Sequence, residues 1–268
     1  MRKRIISMLA AALMVCSMAS GASAFLYDWK LDTDGAGVNA PVVVGEYLDV
    51  VGNSFISNTF TSPTQFNFTD YGFFKVMSYD GTNNLPSSHE ITATFEGYGS
   101  GTLGNAINFS GGTLSIFSDA AKDYGTTAGF FGANNGTLIG TFDVQSGYAL
   151  VDNQAVPNGL ITLNLHATQL AEGYWFDSFN RDLSDGMVDI TLGFATTNAS
   201  LVSNAGSTLV SELQEFSGIT PANTDLPDAL LVSNNGQYRL AAVPEPSTFA
   251  LIGLGFIGLG LGAYRRKR

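Results

Sequence analysis

The sequence predicts an all-β fold, an antiparallel β-sandwich of jelly-roll type, with a signal peptide before it and one C-terminal transmembrane helix after it. Three observations carry this. Apolar and polar residues alternate with a period of two through most of the body, turn-forming residues interrupt those runs at hairpin intervals, and helical spacing is confined to one short stretch. Two sheets packed face to face bury one apolar phase per strand, which is the burial such alternation demands.

The chain opens with a targeting pattern. Arg2-Lys3-Arg4 is a positive n-region, Ile5 to Met18 an apolar h-region, and Ala22-Ser23-Ala24 a small-residue cleavage site, so residues 1–24 read as a signal peptide and the exported chain starts at Phe25. A lipoprotein reading would need Cys16 as the lipidated residue, but Val15 places a branched side chain where a small one is expected.

The body, residues 25–242, reads as one domain, long enough to bury a substantial core. Phe66 to Tyr79 is rich in aromatics. In His89 to Phe95, Glu90, Thr92 and Thr94 are polar and Ile91, Ala93 and Phe95 apolar. Leu114 and Ile116 follow the Gly111-Gly112 pair, and Leu138, Phe142 and Val144 form a further apolar phase. Ile161, Leu163, Leu165 and Ala167 oppose Thr162, Asn164 and His166, while Val188, Ile190, Leu192 and Phe194 oppose Asp189, Thr191 and Gly193. Asp80-Gly81, Asn83-Asn84, Asn134-Asn135-Gly136, Pro157-Asn158-Gly159 and Asp185-Gly186 supply turns between them. Residues 196–236 read as an excursion with one short helix, Thr208 to Phe216, before a final strand from Gln237 to Val243.

Charge narrows the function classes. Of 12 Lys and Arg, three lie in the signal peptide and four in the last four residues, which leaves five against all 23 Asp and Glu, a net of about -18 for residues 25–247. That surface excludes nucleic acid as a partner and favours solubility or cation-bridged association with acidic polymers. Cys16 leaves with the signal peptide, so no disulfide staples the exported chain and its stability must come from the core.

No catalytic residues are assigned and no cofactor or metal is expected. The sequence holds no Gly-x-Ser-x-Gly elbow, no His-Glu-x-x-His and no phosphate-binding glycine loop, and Gly99-Ser100-Gly101 is a lone turn. His89 and His166 fall on polar phases and are expected to face solvent. Asp182 with Asp185, or Glu172 with Asp177, would be the carboxylate pairs of a hydrolase. Asp28, Asp32 and Asp34 crowd a turn whose oxygens suit calcium, without the remainder of an EF-hand loop. An exposed aromatic face including Tyr174, Trp175 and Phe176 would mark a carbohydrate-binding module.

The clearest signal is the tail, residues 243–268. Pro244 and Pro246 lock their own φ and push Val243 and Glu245 into extended backbone, giving a stiff Val243-Pro244-Glu245-Pro246-Ser247 segment. An uncharged apolar run follows from Phe249 to Tyr264, roughly 25 Å as a helix and at the short end for a span. Arg265-Arg266-Lys267-Arg268 then fixes the cytoplasmic side. A plain anchor would favour Leu, Ile and Val, whereas Gly253, Gly255, Gly258, Gly260 and Gly262 weaken helicity and shed apolar area, and Gly258 with Gly262 forms a small-xxx-small pair able to seat another helix.

Together the motif, the glycine-rich span and the basic end resemble the PEP-CTERM sorting signal of Gram-negative bacteria. The resemblance implies that exosortase, an integral-membrane cysteine transpeptidase, reads Pro244-Glu245-Pro246. It also implies a chain exported across the inner membrane, anchored there transiently, and delivered to the cell surface or beyond. In the body, Gly45-Glu46-Tyr47, Gly111 to Phe117 and Leu138 to Phe142 resemble flocculation-associated PEP-CTERM proteins, which implies a structural role in exopolysaccharide, biofilm or floc. A cell-surface or matrix structural protein is therefore the expected function, with a carbohydrate-binding module and then a secreted hydrolase as alternatives.

Overall fold

The computed structural model describes residues 24–36, 41–105, 107–151, 159–185, 189–201, 205–219 and 229–243. Residues 1–23 and 244–268, which hold most of the expected signal peptide and of the expected tail, lie outside them. Strands dominate the described chain: β1 (Ala24–Phe25), β2 (Trp29–Leu31), β3 (Val42–Val44), β4 (Leu48–Phe60), β5 (Gln65–Tyr79), β6 (Glu90–Thr102), β7 (Ile107–Asp119), β8 (Thr137–Val151), β9 (Gly159–Leu170), β10 (Trp175–Phe176), β11 (Asp189–Leu201) and β12 (Ala229–Val243). One α-helix, α1 (Ser207–Ser217), precedes β12.

All-β and antiparallel is what the alternation predicts, but the two-sheet sandwich is replaced by a closed barrel. Strands β4 to β9 pair each with the next, β9 pairs with β11 and β11 with β12, and β12 returns to pair with β4 over Ala229–Tyr238. One eight-stranded sheet thus has no free long edge, which removes the hazard of unpaired edge strands. Register irregularities at Asp49/Val50, Tyr98/Gly99, Ile116/Phe117 and Thr141/Phe142 mark bulges, the device by which long strands curl tightly enough to close.

Period-two alternation puts the apolar phase inside. Phe66, Phe68, Phe74 and Val76 of β5, with Ile91, Ala93 and Phe95 of β6, are buried with Phe109, Ile116, Phe142, Leu163 and Leu165 in one core. The outer phase carries Glu96, Ser100, Asn108 and Asn164, all exposed. A lipid-facing barrel has the opposite phase, apolar outward and polar inward, so this wall is built to meet water. Room for so many rings comes from Gly97, Gly99 and Gly101 on the inward phase of β6. A Cβ at Gly97 would sit 2.5 Å from the Phe95 ring, and one at Gly99 would lie 2.8 Å from the Phe68 ring while colliding with the Asn108 carbonyl oxygen. Gly99→Ala is therefore expected to cost about 1–3 kcal/mol through overpacking, read as a lower denaturant midpoint. The exposed neighbour change Ser100→Ala should leave the midpoint unmoved, and equal midpoints for the two variants would refute this packing account.

Two additions cover the barrel. A three-stranded sheet in the order β10, β2, β3 plugs one end, with Trp29 and Trp175 stacked at 5.8 Å and the Trp175 indole N–H donating to the Ile139 carbonyl at 2.7 Å. On the outer wall, α1 sets Leu209, Leu213 and Phe216 against Phe55, Phe73 and Leu231, and Phe130 and Phe131 of the β7–β8 loop complete this second core. The i, i+4, i+7 spacing gives α1 one apolar stripe. Gly218, at φ 71° with its N–H on the Gln214 carbonyl at 2.9 Å, ends the helix in a left-handed cap.

Candidate processing site

The plugged end is also where the chain enters and leaves. β1 pairs with the end of β12, Ala24 opposite Ala242 and Phe25 opposite Ala241, and the Leu26 N–H donates to the Leu240 carbonyl at 2.8 Å. On the other edge of β12, Asp189 of β11 pairs with Val243. The expected signal-cleavage bond, Ala24–Phe25, and the first residue of the expected sorting motif, Val243, are thus neighbours on one rim. Val243 is the last residue of β12 and Pro244 follows it directly, so the motif leaves the barrel wall without a spacer. Ala22, Pro244, Glu245, Pro246, Ser247 and the basic residues Arg265, Arg266, Lys267 and Arg268 lie outside the described residues, as does the apolar run 249–264. Among the described residues no helix is long and apolar enough to cross a membrane.

Side chains at this rim hold the N-terminal strand in place. The Arg239 guanidinium lies 5.2 Å from the Tyr47 ring centroid and 5.8 Å from that of Phe25, and 3.9 Å from the Glu46 carboxylate. Cation–π contact to two rings orients the charge outward while Phe25 stays half in water. The Asp80 carboxylate accepts the N–H groups of Gly45, Glu46 and Tyr47 at 2.7, 2.8 and 3.2 Å, clamping the turn before β4 to the β5–β6 turn.

The described barrel thus begins and ends on one rim, and its last strand runs to the first residue of the expected recognition segment. Comparison with protein families matches residues 242–268 to the PEP-CTERM protein-sorting motif. Residues 242–268 thus carry a PEP-CTERM sorting motif, the signal that directs a protein to export and exosortase processing. Neither the curated proteins nor the solved structures contain a match to it.

The other sequence candidates fare differently. The Asp32 carboxylate accepts the N–H groups of Asp34 and Gly35 at 3.1 and 3.2 Å, and Asp34 accepts that of Ala36 at 3.0 Å, so these acids shape their turn through side-chain-to-backbone bonds. Asp182 accepts from the Gly173 N–H at 2.6 Å and from the Ser184 N–H and hydroxyl at 2.8 and 2.6 Å. Burial pushes the Asp177 carboxyl up, but hydrogen bonds from the Arg181 backbone and guanidinium and from the Phe179 N–H outweigh it and hold the group below its ordinary value. A general acid needs the opposite shift. His89 and His166 are each partly exposed, His166 on the same outward phase of β9 as Asn164. Trp175 is buried in the plug and the Tyr174 ring lies against Gly35, so neither forms the exposed aromatic face expected of a sugar site.

The structure also assembles what spacing alone hides. Among the described residues one acidic cluster has carboxylate oxygens mutually within 4.8 Å, Glu90, Asp119 and Asp123. Glu90 and Asp119 are opposite each other on β6 and β7. Their oxygens are engaged: Glu90 pairs with the Lys75 ammonium at 2.5 Å and accepts the Tyr124 N–H at 2.8 Å, Asp119 accepts the Ala121 and Lys122 N–H groups, and Asp123 accepts from Asn135. The cluster folds the β7–β8 loop onto the wall, with Lys75 as its cation. Exposed aromatics do occur, on the outward phase of the barrel. Tyr98 of β6 lies over its partner Gly111 of β7, and Tyr148 of β8 stands in a separate row where Ser100, Asn108, Tyr148 and Thr162 are successive cross-strand partners. Period-two phase assigns Tyr98 outward, whereas on β8 the phase of Phe142 and Val144 would turn Tyr148 inward and the register irregularity at Val144/Ser146 turns it out.

Proposed function

We propose that the chain is a non-enzymatic structural protein of the cell surface or extracellular matrix, released at the surface by exosortase and retained there by exopolysaccharide. The observation that carries this is the continuity of β12 with the sorting motif: a rigid domain is joined to its processing signal by a single peptide bond, so the barrel itself is the delivered cargo. Its interior is filled by side chains, which speaks against a carrier of large ligands. Its exterior is acidic, rich in hydroxyl and amide groups, and bears Tyr98 and Tyr148 as two aromatic platforms among Ser100, Asn108 and Asn164. Such a surface suits hydrated polysaccharide, by hydrogen bonding, by ring stacking and through bridging cations. The resemblance of the short strand segments to flocculation-associated proteins points the same way. A sugar-binding reading shares this surface and differs only in asking for a defined oligosaccharide.

Cells producing the chain are expected to hold the processed protein in the exopolysaccharide fraction. Tyr98→Ala with Tyr148→Ala should shift it roughly tenfold toward the soluble medium, as the loss of two modest stacking contacts implies, without changing its melting temperature. Parent protein found free in the medium, with the polymer fraction empty, would end the matrix reading.

A further inference from the structure

Among the described residues, four polar side chains of the inward phase are buried together where β12, β4 and β5 meet. There Ser54, Asp70, Asn234 and Tyr238 are all buried, each at most 4 % exposed. The Asn234 side-chain amide donates to the Ser54 hydroxyl oxygen at 3.0 Å, and Ser54 in turn hydrogen-bonds the Asp70 carboxyl. That relay leaves two oxygens, Asp70 Oδ1 and Asn234 Oδ1, as buried acceptors with no partner in the protein. Both residues line a cavity of about 20 Å³, measured as the space open to the centre of a water-sized sphere, which Phe74, Phe95, Leu163 and Tyr238 close. Glycine stands opposite each polar residue, Gly97 opposite Asp70 and Gly52 opposite Asn234, and the Phe95 and Phe74 rings that partly close the cavity pack over these glycines.

We propose that one water molecule is bound inside the barrel between Asp70 Oδ1 and Asn234 Oδ1, closing a hydrogen-bonded ring with Ser54 that fixes the register of the β12–β4 seam. The volume fits one water, which needs about 10–15 Å³ by this measure. The chemistry fits as well: with Asp70 ionised the site lacks two donors, and water has two hydrogens to give. A larger ligand finds no room.

The seam needs such a device. Ser54 and Asn234 are 180 residues apart in the chain, and this pairing is what closes the sheet. Between the buried Val232 and Tyr238, Ser233-Asn234-Asn235-Gly236-Gln237 is polar or glycine in both phases, so in the middle of the seam hydrophobic alternation does not specify the register of β12 on β4. A slip would turn Asn234 to the outer wall and break the ring. Buried polar groups that are satisfied in one register only are an attested means of specifying it.

The test uses the full-length chain in detergent micelles. Water-to-protein NOEs are expected at the Asn234 side-chain amide in the parent and in Asp70→Asn, which keeps an oxygen at the site. They should vanish in Asp70→Leu, which removes both oxygens and fills the space. In Ser54→Ala, amide exchange across the β4–β12 pairs should quicken roughly tenfold relative to the β6–β7 pairs. A parent with no bound water, a site occupied by a metal cation, or Ser54→Ala exchange that rises equally in both sheet regions would each overturn the proposal.

Discussion

Replacing Pro244 and Pro246 together with alanine is expected to leave the full-length chain uncut in the inner membrane, while the parent is trimmed and appears at the surface. The physical reason is conformational. Each proline fixes φ near -65° and excludes helix from the residue before it, so the motif is presented extended; two alanines, the best helix formers, remove that restriction next to an apolar run. Neither proline lies in a described strand, and β12 is already paired to Val243 by β11, so the barrel should melt at the parent temperature. A blot of membrane, periplasmic and released fractions reads the result. Equal trimming of both proteins would mean that the tail is an anchor or is cut without reading the motif.

A second large effect is expected at Asp70. Burial raises its carboxyl from 3.8 to about 7, only partly offset by the Ser54 hydrogen bond; Lys75 of the same strand lies on the outward phase and pairs with Glu90 instead. A carboxyl raised in the folded state binds its proton more tightly there than in the unfolded chain. Its contribution to stability is full below about pH 4, falls as pH rises toward 7, and is flat above. The whole change is on the order of 4 kcal/mol at 1.36 kcal/mol per pKa unit. Asp70→Asn, which keeps the shape and a hydrogen-bonding oxygen, should therefore match the parent near pH 4 and exceed it by a few kcal/mol at pH 8 in urea unfolding. Parallel pH profiles for the two proteins would show that Asp70 stays charged at no cost, and the account of its burial would fail.

Much of the strand content was legible because alternation is a local property. The phases around Ile91, Leu163 and Phe142 each point to one buried face, and the structure buries those residues. The helix was legible too, since Leu209, Leu213 and Phe216 keep helical spacing inside a polar segment. β4 was not singled out, because Asp49, Gly52, Asn53 and Ser54 blur its apolar phase and only its partners on β5 and β12 make it a strand. Asp70 stood on the apolar phase between Phe68 and Phe74, a local anomaly that marks a functional or strained position when phase is read strictly; its partners Ser54 and Asn234 could not be inferred from it.

By itself the sequence determined the sorting tail, the acidic balance of the exported chain, the all-β class and the buried side of strands such as β6 and β9, for these depend on neighbours a few residues apart. Tertiary structure alone decided that one sheet closes as a barrel rather than two packing as a sandwich. Both architectures bury one face per strand, and the choice rests on β12 meeting β4 across most of the chain. The same long-range closure brought Ala24 beside Ala242, set Asn234 against Ser54, and placed Glu90 opposite Asp119, contacts that no local pattern encodes because their energy depends on register between strands far apart in sequence.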